Sequence, residues 1–121
     1  MDEERPRKID VLMLRWRDEL VKTWRWAARI VAEAAKSLYP DARVYVAGGA
    51  AEGRLTPLSD VDVVVVLSRR PTPRERIEVK LAIMREAFRR GLPIDYPIDL
   101  HVIGPEDLER YRRLGKLAPL E

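Results

Sequence analysis

Two carboxylates one residue apart, Asp60 and Asp62, stand at the start of an unbroken apolar run, Val63-Val64-Val65-Val66-Leu67. A β-strand sends residues i and i+2 to the same face, so the pair can project together from a stiff support. A third acid, Asp99, lies inside a second strand-like run, Ile98-Asp99-Leu100-His101-Val102-Ile103. An acid within an apolar strand is costly unless it is paired or liganded. Three of them on two short strands point to a divalent-metal site. Cysteine is absent and histidine occurs once, which leaves oxygen ligands and favours magnesium, manganese or calcium over zinc. Each acid also has a structural reading: Asp60 could cap a turn, Asp62 could pair with an arginine, and Asp99 could sit at a strand edge.

Magnesium prefers octahedral oxygen coordination at about 2.0 to 2.1 Å and usually keeps substrate phosphate among its ligands. Two such ions, about 3.5 to 4 Å apart, can clamp the attacking and leaving oxygens of an in-line phosphoryl displacement. Asp60 and Asp62 could bridge both ions, with Asp99 on the one nearer the nucleophile. Upstream, Gly48-Gly49 closes another strand and allows close backbone approach to a phosphate, although such a pair is usually only a turn. His101 shares a strand face with Asp99, either beside the site or as a structural histidine.

Apolar residues recur at helical spacing from about Ile9 to Leu38, including Trp16, Leu20, Trp24, Ala27, Val31, Ala34 and Ala35, and Pro40 stops the pattern. A helix over that whole range would span on the order of 45 Å, long for a chain of this size unless bent or broken. Its stripe, bearing three tryptophans, reads as core, with a partner-binding strip as the alternative. Arg43 to Ala47 is β-branched and aromatic, as strands are. Ala50 to Leu58 reads as a loop with one helical turn, closed by Pro57.

A second helix is announced by Thr72 as N-cap, Pro73 at the first position and Glu75 completing a capping box. Ile77, Leu81, Met84 and Phe88 give its apolar spacing and Gly91 its stop. Gly104-Pro105-Glu106-Asp107 opens a short last helix to about Leu114. The order predicts an α/β fold: a small mixed sheet of about three strands flanked by helices, as one domain over 1–121 with its core at about 43–114. A helical crossover between the Asp62 and Asp99 strands would make them parallel neighbours.

The charge is unevenly spread. Residues 69–90 carry eight basic and three acidic side chains, whereas 40–68 carry two basic and four acidic. That basic helix could draw a polyanion toward a metal-loaded site, or be a solvated face. No aromatic stacking motif accompanies it, so nucleic acid is not the expected partner. No apolar run approaches the about 20 residues of a membrane span. The start, Met1-Asp2-Glu3-Glu4-Arg5, lacks the apolar core of a signal peptide, so a cytoplasmic location is expected. Self-association is left open.

Taken together, Gly48-Gly49, ten residues, then Asp60-Val61-Asp62-Val63 resembles the signature of the DNA polymerase beta-like nucleotidyltransferase superfamily. The stretch from Gly48 to Asp62 is closest to the minimal nucleotidyltransferases, including those that act as antitoxins. The resemblance implies that Asp60, Asp62 and Asp99 are catalytic and bind two magnesium ions, or manganese, and that Gly48 and Gly49 contact the triphosphate of ATP. Ser59 and Arg54 are included as nucleotide-side residues; Ser59 also reads as turn-shaping and Arg54 as solvent-facing. It further implies transfer of a nucleoside monophosphate to a hydroxyl, for the antitoxin type a tyrosine of a HEPN-type toxin. A catalytically weak, protein-binding module is the alternative. The sequence departs from the family pattern at Gly49, where the family has serine, and at Ala50-Ala51, where arginines are common. Losing a hydroxyl bond to a charged phosphate would weaken nucleotide binding by roughly 1.5 to 3 kcal/mol.

Overall fold

The computed structural model describes residues 16–55 and 59–120. Its elements are α1 (Trp16–Leu38), β1 (Arg43–Ala47), α2 (Gly48–Glu52), β2 (Val61–Val66), α3 (Pro73–Arg89), β3 (Ile98–Ile103), a 3-10 turn (Pro105–Asp107), α4 (Leu108–Leu114) and β4 (Leu117–Pro119). The part of the first helix expected at 9–15, and the Pro57 turn, lie outside the described residues.

The sheet has the order β3-β2-β1-β4. β1 runs antiparallel to both β2 and β4, and β2 runs parallel to β3. The parallel pair follows from its connection, since α3 carries the chain from the end of β2 back to the start of β3. Four strands form where about three are expected. The fourth is three residues ending in Pro119, which lacks a backbone donor and is tolerated at this edge.

Strand β2 is central and covered on both faces, which is why it is a near-continuous valine run. Val61, Val63 and Val65 face the larger core, with Leu20, Ala27, Val31 and Ala35 of α1 and Val79, Ile83 and Ala87 of α3. Val64 and Val66 face a smaller cluster with Ile103 of β3 and Leu108 of α4. Trp24 and Trp26 pack partly buried against the larger core, which supports the core reading of that helix face. Leu38, placed on the stripe by spacing, is exposed at its end.

Helix α3 has the predicted start: Glu75 N donates to Thr72 Oγ1 at 3.1 Å, and Thr72 N donates to Glu75 Oε1 at 2.9 Å. Its buried face differs in part from the expected one: Met84 and Phe88 pack partly buried against the core as the spacing predicts, and Ile77 and Leu81 do not. Val79, Ile83 and Ala87 are buried, while Ile77 and Leu81 are 62% and 57% exposed. Both sets have helical spacing, and packing against α1 and β3 together selects between them. The segment entering β3 is pinned by Tyr96, whose hydroxyl lies 2.7 Å from Thr23 Oγ1 in the core. Burial pushes the Tyr96 phenol up to about 12. Val61 N donates to Pro97 O at 2.8 Å, which locks the starts of β2 and β3 together. No helix among the described residues is long and apolar enough to cross a membrane.

The burial difference on α3 gives a direct test by urea unfolding. Ile83→Ala should lower stability by about 2 to 5 kcal/mol, whereas Leu81→Ala should stay within about 0.5 kcal/mol of the parent.

Candidate active site

One end of the sheet gathers the start of β2, the start of β3 and the end of β1. Asp62 is in register with Asp99 on β3 and with Ala47 on β1. By strand alternation Asp62, Val64 and Val66 share a face, as do Asp99, His101 and Ile103. The acids therefore stand at the margin of the smaller apolar cluster, on the face opposite the main core.

His101 completes the group. Its Nε2 lies 3.4 Å from Asp62 Oδ1 and 3.4 Å from Asp99 Oδ2. One ligand atom from each of Asp62, Asp99 and His101 lies within 4.8 Å of the other two. Two ligands about 2.1 Å from one magnesium ion stand at most about 4.2 Å apart, so a shift of a few tenths of an ångström per side chain would close the set. On the far side of the imidazole, Tyr111 Oη is 3.3 Å from Nδ1 and the two rings meet edge-on at 5.6 Å. With the proton on Nδ1 donated to Tyr111, Nε2 presents its lone pair to the space between the carboxylates, the arrangement common to metal-binding histidines.

Without a cation, the two carboxylates favour protonated imidazole. The hydrogen bond to Asp62 raises the His101 pKa above its usual value; partial burial opposes this, the charges of Asp99 and Asp62 add to it, and Lys80 subtracts. Burial raises the Tyr111 phenol as well.

Gly48 is fixed by two constraints. Its φ is +60°, and a Cβ added there would sit 2.7 Å from Asp62 Oδ2. The glycine turn and the Asp62 carboxylate are thus in direct apposition. Gly49 is not crowded in this way: a Cβ there would meet Leu55 at 3.5 Å, an ordinary contact. Asp60 is exposed in the segment leading into β2, with Ser59 half-buried before it, and it falls outside the close group of three. Arg54 donates from Nε to Glu52 Oε1 at 2.8 Å. Glu52 also accepts from Lys116 N at 3.2 Å, which ties α2 to the start of β4. The Arg54 hydrogen bond and then the Lys116 amide hold the Glu52 carboxyl below its usual range.

A larger cavity of about 460 Å³ lies at the other end of β2, between Tyr39, Asp41, Ser68, Arg69 and Glu78. None of Asp60, Asp62, Asp99 or His101 borders it.

Residues 28–112 match the family model for the nucleotidyltransferase domain. The chain belongs to that family. A crystal structure of a Sulfolobus solfataricus protein, provisionally assigned as a nucleotidyltransferase, superposes on it with a TM-score of 0.59 and 17% identity. The match covers 96% of this chain and 87% of that one, and at this identity it establishes a shared fold. No curated protein sequence matches significantly.

Of the three acids expected from the sequence, Asp62 and Asp99 come together in this nucleotidyltransferase domain, beside Gly48, and Asp60 does not join them; His101, which the sequence leaves open between site and structure, lies against both. Nothing local marks Tyr111 as its partner, because the contact depends on how α4 packs against the sheet.

Cation binding should depend on pH with a definite sign. A raised His101 pKa means that its contribution to the stability of the cation-free fold is present below about pH 6.5 and is lost as pH rises through the higher folded value. Metal must displace that proton, so Mn²⁺ affinity should increase across that same rise. Loss of the free Mn²⁺ electron paramagnetic resonance signal measures it; His101→Gln should flatten the dependence, and an unchanged slope would remove His101 from the ligand set.

Proposed function

We propose that this domain is a divalent-metal-dependent nucleotidyltransferase, moving AMP from ATP to a hydroxyl acceptor on a protein. The observation that carries the reading is the register of Asp62 with Asp99, with His101 Nε2 3.4 Å from both carboxylates, in a chain of the nucleotidyltransferase family.

Two carboxylates and one imidazole suit magnesium or manganese, and the imidazole favours the latter. Asp62, Asp99 and His101 would hold such an ion, with Asp60 serving a second one from the segment before β2. Bound there, the cation supplies charge neutralisation for the triphosphate and for the leaving pyrophosphate. Gly48 leaves the space beside Asp62 clear for phosphate oxygens, since any side chain would occupy it. Asp99, on the side of Asp62 away from the glycine turn, accepts the acceptor hydroxyl proton as its oxygen attacks the α-phosphorus. Ser59 shapes the approach to Asp60, and Arg54 reaches phosphate by exchanging its Glu52 partner. The resemblance to minimal nucleotidyltransferases suggests a tyrosine of a HEPN-type partner as the acceptor.

A second reading, a binding module with little activity, is favoured by Gly49 lacking the family hydroxyl and by Arg54 being engaged with Glu52. Incubation with labelled ATP, Mg²⁺ and a hydroxyl-bearing partner protein separates the two. Transfer that falls at least a hundredfold in Asp62→Asn and Asp99→Asn supports the enzyme; no transfer and no nucleotide binding by the parent supports the module.

Gly49→Ser offers an independent check. The uncrowded position admits the side chain, and the restored hydroxyl should tighten ATP binding by about tenfold or more in a calorimetric titration. Unchanged or weaker affinity would mean that phosphate does not lie over α2.

A further inference from the structure

β3 is an edge strand, paired with β2 on one side and with no strand on the other among the described residues. A cavity of about 240 Å³ runs beside it from Asp99 to Ile103, between α3 and α4. Its walls carry Arg76 and Lys80 from α3 and Arg110 and Tyr111 from α4. Arg76 and Lys80 form no ion pair among the described residues, and Arg110 shares Asp107 with Arg70, at 3.6 and 3.2 Å. An edge strand whose flanks are lined with cations adjoins the candidate metal ligands directly.

We propose that this cavity is the docking site of the acceptor: an acidic segment of a partner protein that reaches into it beside β3, with a carboxylate among Arg76, Lys80 and Arg110 and its hydroxyl beside Asp99. The proposal rests on the nucleotidyl-transfer reading for the chemistry, but not for the docking. Three observations select this occupant. Three cations against two carboxylates on the walls give the cavity a net positive charge that favours a carboxylate-bearing side chain. The volume is below the about 300 to 1,000 Å³ of typical small-molecule pockets and suits a side chain or two. Asp99 and Asp107 border the same cavity, which suits an isolated carboxylate better than a polyphosphate chain.

The position also fits the reaction. In-line displacement needs the entering and leaving oxygens on opposite sides of phosphorus. The glycine turn follows β1, on one side of Asp62, and the cavity lies beyond β3, on the other. The acceptor oxygen forms its bond to the α-phosphorus of the nucleoside triphosphate as the bond to the bridging oxygen of pyrophosphate breaks. Pyrophosphate leaves with that electron pair, and the hydroxyl proton passes to Asp99.

The test uses the full chain and two fluorescent peptides, each with a central tyrosine flanked by glutamates or by lysines, read by fluorescence anisotropy. The parent should bind the glutamate peptide at least tenfold more tightly than the lysine peptide, with a preference that weakens with salt. Arg76→Glu with Lys80→Glu, both on the exposed face of α3, should reverse that preference. Asp62→Asn should retain peptide binding while losing nucleotidyl transfer; binding retained with transfer also unaffected would defeat the catalytic reading alone. Equal affinity for the two peptides, no binding at millimolar concentration, or a preference unaltered by the double substitution would overturn the docking proposal. So would a single-stranded oligonucleotide that displaces the glutamate peptide at lower concentration than that peptide itself requires.

Discussion

Parallel pairing of β2 with β3, in the register that sets Asp62 beside Asp99, fixes both the centre of the sheet and the candidate site. Two carboxylates so placed repel each other, and the fold offsets this with an imidazole that touches both. A slip of one residue in either strand would turn its acid toward the main core. The register is therefore held from several directions: by the valines of β2 buried on both faces, by the Val61 to Pro97 hydrogen bond, and by Tyr96 anchored to Thr23 of α1.

The two faces of the sheet divide the labour. The face toward α1 and α3 is filled with alanine, valine and isoleucine and supplies most of the buried apolar area. The other face is only partly covered by α4 and the 3-10 turn, and polar groups stand at its margin. A carboxylate there keeps access to water and ligand, whereas the same group on the main-core face would carry a large desolvation cost. Stability and chemistry thus alternate along the same strand, residue by residue.

How much of this was readable in the sequence depends on the range of the forces involved. The Thr72 and Glu75 capping box, the limits of β1 and β3, and the pairing of two acid-bearing strands follow from local chemistry or from one crossover rule. The core face of α3 does not, because Ile77 and Leu81 have the same spacing as Val79 and Ile83, and only the packing against α1 and the sheet decides between them. β4 lies beyond such rules, because three residues ending in proline carry little strand signal; its pairing with β1 supplies the order. Among the candidate site residues, Asp62, Asp99 and Gly48 come together, Asp60 stands outside the close group, and His101 gains its place through the register and Tyr111.

Under the proposed function, Asp62, Asp99 and His101 hold one cation between them. Anomalous scattering from crystals grown with Mn²⁺ tests it most directly. A peak is expected about 2.1 to 2.3 Å from an oxygen of each carboxylate and from His101 Nε2. A peak bound elsewhere, or His101 still bridging the two acids with no ion between them at saturating Mn²⁺, would contradict it.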